Sequence, residues 1–182
     1  MGTKSMFAIR AIEPSDAHAV ASLHAASWRS AYRGIISDAF LDADLSANRF
    51  AFWQQRLGAH ASNSFGLLAS EGDVPVGFAF AFPNAEPTWG TLLDNLHVLP
   101  ELKGRGIGRG LLAAMAKRCC QVAGDEGLFL WVYESNSAAR RFYESLGGQR
   151  FERRIVAVRG GGEAAEWRFA WPSAADLLEQ IG

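Results

Sequence analysis

Cysteine is nearly missing from this chain: two residues in 182, Cys119 and Cys120, and these stand side by side. On a helix, neighbours point about 100° apart, so the two thiols should not bridge each other. Adjacency is not metal-ligand spacing either, so no metal is expected. Two unpaired thiols fit a reducing, cytoplasmic setting. Long apolar runs are missing too. No stretch approaches a membrane span and no positively flanked apolar segment opens the chain, so neither a transmembrane helix nor a secretion signal is expected. Charge of one sign is scarce: the net is −1. That gives no global case for nucleic acid or a membrane surface as partner. Internal repeats and linkers are absent as well.

Apolar bulk is present. Hydrophobic residues make up 49% of the chain, with six Trp and twelve Phe, which excludes wholesale disorder. The length is most simply one domain with a real core. Residues 7–172 are read as that domain, 1–6 as a flexible start or expression remnant, and 173–182 as a C-terminal tail. The small net charge hides an uneven spread. Residues 101–160 carry eleven Lys/Arg against six Asp/Glu; the rest carries seven against thirteen. The later half is therefore the place to look for a small anionic ligand.

Periodicity sets the element order. Residues 7–12 alternate like a strand and "EPSD" turns the chain. Ser15 or Asp16 can cap a helix over 17–32, and residues 38–57 read as a second helix. Strands are expected at 64–70 and 76–82, joined by "EGDVP", and at 92–98. A helix over 107–123 follows, then a buried-type strand "GLFLWV", a short helix over 136–146 ended by two glycines, and strands at 150–158 and 166–171. The order is β α α β β β α β α β β, a single mixed α/β layer structure.

The stretch "LHVLPELKGRGIGRGLL" stands out. A P-loop needs GxxxxGK followed by Ser or Thr, which is absent. A dinucleotide fingerprint needs GxGxxG. Gly104 and Gly106 would require glycine where Arg109 stands, and Gly106 and Gly108 would require it where Leu111 stands. Three strands also precede this one, whereas a dinucleotide fold begins its βαβ unit with such a loop. What remains is a strand, a turn and a helix with a glycine-lined first turn. Glycine lets backbone N–H groups approach an anion and take positive φ. A helix start favours negative charge, and Lys103, Arg105 and Arg109 add cations. A pyrophosphate fits this loop. In "SNSAARRFYESLGG", Asn136 and Tyr143 lie two turns apart on one helix face, with Ala139 and Arg140 between them, while Ala138, Phe142 and Leu146 follow a core path. Asn136 can also be a helix cap, and Tyr143 a half-buried tyrosine with a wet hydroxyl.

Together these two motifs resemble the GNAT superfamily of acetyl-CoA-dependent N-acetyltransferases. The family's pyrophosphate motif, Arg/Gln-x-x-Gly-x-Gly/Ala, is matched by Lys103, Gly104, Arg105, Gly106, Ile107 and Gly108, with Lys in first place. Lys cannot reproduce a planar, forked contact. The later motif, Asn-x-x-Ala-x-x-Phe-Tyr, is matched by Asn136, Ala139, Phe142 and Tyr143. The strings "WRSAYRG" and "EWRFAW" look like one bacterial-type branch. The resemblance spans about 7–171. It implies a mixed, largely antiparallel sheet splayed between its fourth and fifth strands, with helices on both faces.

It also implies a mechanism. Acetyl-CoA would place its pyrophosphate on residues 103–109 and pair its pantetheine arm with the backbone of Leu96, His97 and Val98, with Asn136 and Ala139 on the other side. An amine would attack the thioester, and Tyr143, with an ordinary phenol pKa of about 10, would protonate the leaving thiolate. Asp94 is a candidate base. Alternation sets Asp94 on the face of Leu96 and Val98, and His97, a second candidate, on the opposite face with Asn95. Glu134 is a third. Trp28, Tyr32 and Trp53 are plausible aromatic lining for an acceptor, with core packing favoured for Trp53. Residues 1–100 carry nine acids and six bases, so a cationic small-molecule amine is expected. A homodimer is compatible. Two alternatives stay open: a non-catalytic acyl-CoA-binding or sensing module, and a nucleotide-binding α/β domain.

Overall fold

Seven strands form one sheet in the order β1-β2-β3-β4-β5-β7-β6 in the computed structural model, which describes residues 7–58, 63–124 and 126–182. The strands are β1 (Ala8–Ala11), β2 (Phe65–Glu71), β3 (Val74–Glu86), β4 (Gly90–Val98), β5 (Leu128–Tyr133), β6 (Gln149–Ala157) and β7 (Glu163–Trp171). The helices are α1 (Ala17–Ala31), α2 (Asp38–Asp42), α3 (Leu45–Gly58), α4 (Ile107–Ala123), α5 (Ser137–Ser145) and α6 (Ala174–Ile181). All strand pairs are antiparallel except β4 with β5. The expected mixed fold with a central splay is the one observed.

Both faces of β3 are covered, which is why "VGFAFAF" reads as a nearly unbroken apolar run. Phe78 and Phe80 turn to α1 and α3, where Val20, Leu23, Trp53 and Leu68 join them. Val76, Ala79 and Ala81 turn to α4 and meet Ile107, Leu111, Leu112 and Met115. The alternating small residues leave room for α4 to lie close on that face. A third cluster, around Ile36, Leu41, Leu45 and Val158, ties α2 to the β6–β7 connection.

Local chemistry moved several expected boundaries. The helix expected over 38–57 is two helices. Ser37 caps α2 by accepting from the Phe40 N–H, Ala43 is extended, and the Asp44 side chain accepts from the Ala47 N–H at 3.0 Å to start α3. Asp16 precedes α1 without capping it. Its carboxylate instead takes the Glu13 N–H and two bonds from Arg10, both at 2.7 Å. Residues 173–182, set apart as a tail, contain α6. Ser173 caps it, and Leu177 and Ile181 are buried in the α4 cluster.

Candidate active site

β4 and β5 begin together and then part. The Thr91 N–H bonds the Gly127 carbonyl at 2.8 Å, and a Cβ on Gly90 would sit 2.3 Å from that oxygen. Only glycine permits this approach. The two strands pair at Thr91–Leu128 and Leu92–Phe129 and no further. Beyond that point the β4 edge has no strand partner on this side among the described residues, and a cleft of about 850 Å³ opens between Leu93–Val98 and Leu130–Tyr133.

A bulge in β4 changes which side chains face which way. Leu93 stands opposite Ala81 and Asn95 opposite Phe80, so Asp94 is the extra residue. Leu93, Leu96 and Val98 pack on the α4 side. Asp94 does not share their face, as simple alternation implied. Its carboxylate turns to α3, where Arg56 binds it at 2.5 Å and Asn95 donates to it at 2.6 Å. The bulge inserts one residue and so resets the period of two. Asp94, Asn95 and His97 all still line the cleft.

The glycine loop closes one end of the cleft. A short turn, Pro100–Leu102, delivers Lys103, and Gly104 and Gly106 follow with φ of 79° and 82°. A Cβ on either would meet nothing within 4 Å. Left-handed backbone, and not crowding, therefore demands glycine here. Gly106 is the N-cap of the 17-residue α4 and no side chain among the described residues caps it. The first-turn N–H groups are thus left for an outside acceptor. Lys103, Gly104, Gly106, Ile107, Gly108 and Arg109 line the cleft. Arg105 does not: it turns outward to an ion pair with Glu71 at 2.9 Å. Arg109 also donates to the Ile181 carbonyl, which fastens α6 to the loop.

α5 forms the facing wall with Asn136, Ala138, Ala139, Phe142 and Tyr143. Asn136 is the N-cap and accepts from the Ala139 N–H at 3.2 Å, so its amide nitrogen is the group left for a ligand. Tyr143 is buried, 8% exposed, among Phe142, Phe169 and Trp171. It is not the half-buried tyrosine of the alternative reading, and Ala138, read as core, is exposed. Burial pushes the Tyr143 phenol above its ordinary value. Its proton is therefore retained at neutral pH.

The opposite end of the cleft is polar and aromatic. It is lined by Ser27, Ala31 and Tyr32 of α1, Trp131 and Tyr133 of β5, and Glu86, Arg154 and Glu166. Burial, then neighbouring Tyr133, raises the Tyr32 phenol. His97 is held by Ser27 at 2.9 Å, and burial followed by the charge of Lys103 lowers its pKa to about 3. It is a neutral wall residue with little basicity. Glu134 is bound by Arg153 and by the Trp167 indole N–H, which lower its pKa to about 2. Trp28 does not line the cleft. It packs beneath the Arg49 guanidinium, 4.6 Å from the ring centroid, and against His24 and Tyr32. Trp53 is fully buried, its indole N–H donating to His24 at 2.9 Å.

Sequence reasoning missed Ser27, Glu86, Trp131, Tyr133, Arg154 and Glu166. Three of these carried a signal. In "GLFLWVY" the larger aromatics alternate, which places Phe129, Trp131 and Tyr133 on one face. Glu166 interrupts the apolar run of β7 from a buried position, where a carboxylate needs a partner. The others come from elements far apart in the chain, and only the fold unites them.

Known proteins match this architecture. "Probable N-acetyltransferase Rv2775" of Mycobacterium tuberculosis is 30% identical over 139 residues, 75% of this chain and 76% of that protein. A GCN5-related N-acetyltransferase from Rhodopseudomonas palustris superposes with a TM-score of 0.70 at 26% identity, covering 93% of this chain and 98% of the other. The PaiA N-acetyltransferase of Thermoplasma acidophilum, solved in complex with coenzyme A, also gives 0.70, at 18% identity over 90% of this chain and 97% of that one. The acetyltransferase (GNAT) family profile matches residues 19–148. This chain belongs to the GNAT family of acetyltransferases.

Proposed function

We propose that the protein transfers an acetyl group from acetyl-CoA directly to the primary amine of a small cationic acceptor. The observation that carries this reading is the splay. A free β4 edge runs between an uncapped, glycine-lined helix start and a buried phenol, all on one cleft. The N–H groups of 104–109, with Lys103 and Arg109, hold the pyrophosphate. The pantetheine arm lies along Leu96–Val98 in the place of a strand, as edge backbone invites. The Asn136 amide nitrogen meets the arm from α5.

The neutral amine attacks the thioester carbonyl. A carbon–nitrogen bond forms, and backbone N–H near Val98 stabilises the oxyanion. Collapse breaks the carbon–sulfur bond, and the thiolate takes the Tyr143 proton to leave as free thiol. The attacking nitrogen sheds its second proton to solvent to give the neutral amide, and solvent returns one to the phenol. The ammonium must first lose its own proton, and Asp94, which lines the cleft beside Arg56, is the residue to receive it. Position favours Asp94 over His97, whose ring is buried against Ser27 and His24. The acceptor is held beside Tyr32, Trp131 and Tyr133.

The test is release of free coenzyme A thiol with a panel of amines. Turnover of at least one, with Tyr143→Phe lowering kcat about a hundredfold while coenzyme affinity holds, supports the reading. Tight coenzyme binding without turnover of any amine would instead support a sensing module.

A further inference from the structure

Strand register builds one row across the open face of the sheet. Tyr133 of β5 stands opposite Glu166 of β7, and Glu166 opposite Arg154 of β6. All three line the cleft, as does Trp131, which shares the face of Tyr133. Glu166 is a buried carboxylate, its side chain only 12% exposed. Its cation comes from an edge strand: Arg154 reaches in, bonds Glu166 at 2.6 Å and lays its guanidinium 3.6 Å over the Trp131 ring centroid. Carboxylate plus aromatic face is the chemistry that holds a cation.

Two arginines flank Trp131, and they differ. Arg168, 4.5 Å from the ring, is buried and lies against two carboxylates, Glu86 at 2.7 Å and Glu152 at 3.3 Å. It is fixed. Arg154 has 47% of its side chain exposed and Glu166 as its one carboxylate among the described residues. A half-exposed side chain with one ion-pair partner is readily displaced.

We infer that Glu166, Trp131 and Tyr133 form a cation-recognising subsite for a second positive group on the acceptor, with Arg154 as the displaceable occupant that stands in for it. The inference rests on the acetyltransferase reading above and sharpens its substrate class to diamines or larger polyamines. The reacting amine meets the thioester beside Val98 and Tyr143. The distal ammonium or guanidinium takes the Glu166 seat as Arg154 swings toward solvent. Glu166 and Arg154 thus select the acceptor and do not touch the reacting atoms.

A matched series tests this: diaminobutane, butylamine and aminobutyrate, equal in carbon count and different in the far group. Thiol release should give a kcat/KM for diaminobutane at least about tenfold above butylamine, carried by KM, with aminobutyrate poorest. In Glu166→Gln the diamine-to-monoamine ratio should fall to near one. In Arg154→Met, which keeps the stem and removes the competing charge, the diaminobutane KM should drop. A wild-type ratio near one, an unchanged ratio in Glu166→Gln, or a raised diamine KM in Arg154→Met overturns the subsite while butylamine turnover leaves the transferase standing. Coenzyme binding without turnover of any of the three overturns both.

Discussion

Leu92 and Phe129 are the last residues that β4 and β5 pair across the centre of the sheet. Up to this point the sheet is continuous; past it, β4 has an edge in the middle of the molecule. The cleft, the glycine loop and the α5 wall all follow from that parting. Each side of it can be probed separately.

Gly106 holds φ of 82° with open space where a Cβ would go. Left-handed backbone costs a residue with a Cβ roughly 1–2 kcal/mol, and relaxing it re-aims the α4 N–H groups. Gly106→Ala should weaken coenzyme A binding about tenfold by calorimetry and lower unfolding stability by no more than about 1–2 kcal/mol. Unaltered affinity would mean that the loop does not hold the diphosphate through its backbone.

Asp94 sits on a bulge with its carboxylate on Arg56. As the proton acceptor it should be needed for turnover and not for coenzyme binding. Asp94→Asn should lower kcat by about a hundredfold or more, within the range of general-base losses, with coenzyme affinity retained. Full activity in Asp94→Asn would hand the proton to water.

His24 and His97 are buried against each other, ring centroids 4.6 Å apart and planes tilted by 37°, and burial lowers both pKa values, that of His97 to about 3. The unfolded chain protonates its histidines near 6.5, so between about 6.5 and 3 it binds more protons than the folded chain. Stability should therefore fall as pH drops through that window and stay level above it. Urea midpoints measured from pH 7.5 to 4 should show this limb, and His97→Gln should flatten it. A limb of undiminished slope in the variant would place the effect elsewhere.

Trp53 is fully buried between α1 and the sheet. Trp53→Ala should cost about 3–5 kcal/mol in urea unfolding. Tyr32→Phe, on the cleft wall, should change acceptor KM with a much smaller loss of stability. A Trp53→Ala protein of ordinary stability would remove that residue from the core.

Local chemistry made the element order, the glycine loop and the Asn136–Tyr143 wall readable in the sequence. Left-handed glycines before a helix and a cap followed by an aromatic pair are signals within a dozen residues. What escaped was either one residue long or non-local. The bulge at Asp94 leaves no mark on "TLLDNLHV", yet it sends the carboxylate to α3. The break at Ala43 was foreshadowed only by Asp44, a helix-starting residue inside an otherwise periodic stretch. Trp28 has the composition of a binding residue, but Arg49, twenty-one positions on, covers its ring. The row from Tyr133 through Glu166 to Arg154 needs three strands in register, and no single stretch of sequence contains it.

Calorimetric titration with coenzyme A, beside ATP and NAD under the same conditions, tests the central claim most directly. A single saturable site for coenzyme A, much tighter than for either nucleotide, is the predicted result. No heat with coenzyme A, or equal affinity for all three, would contradict the account.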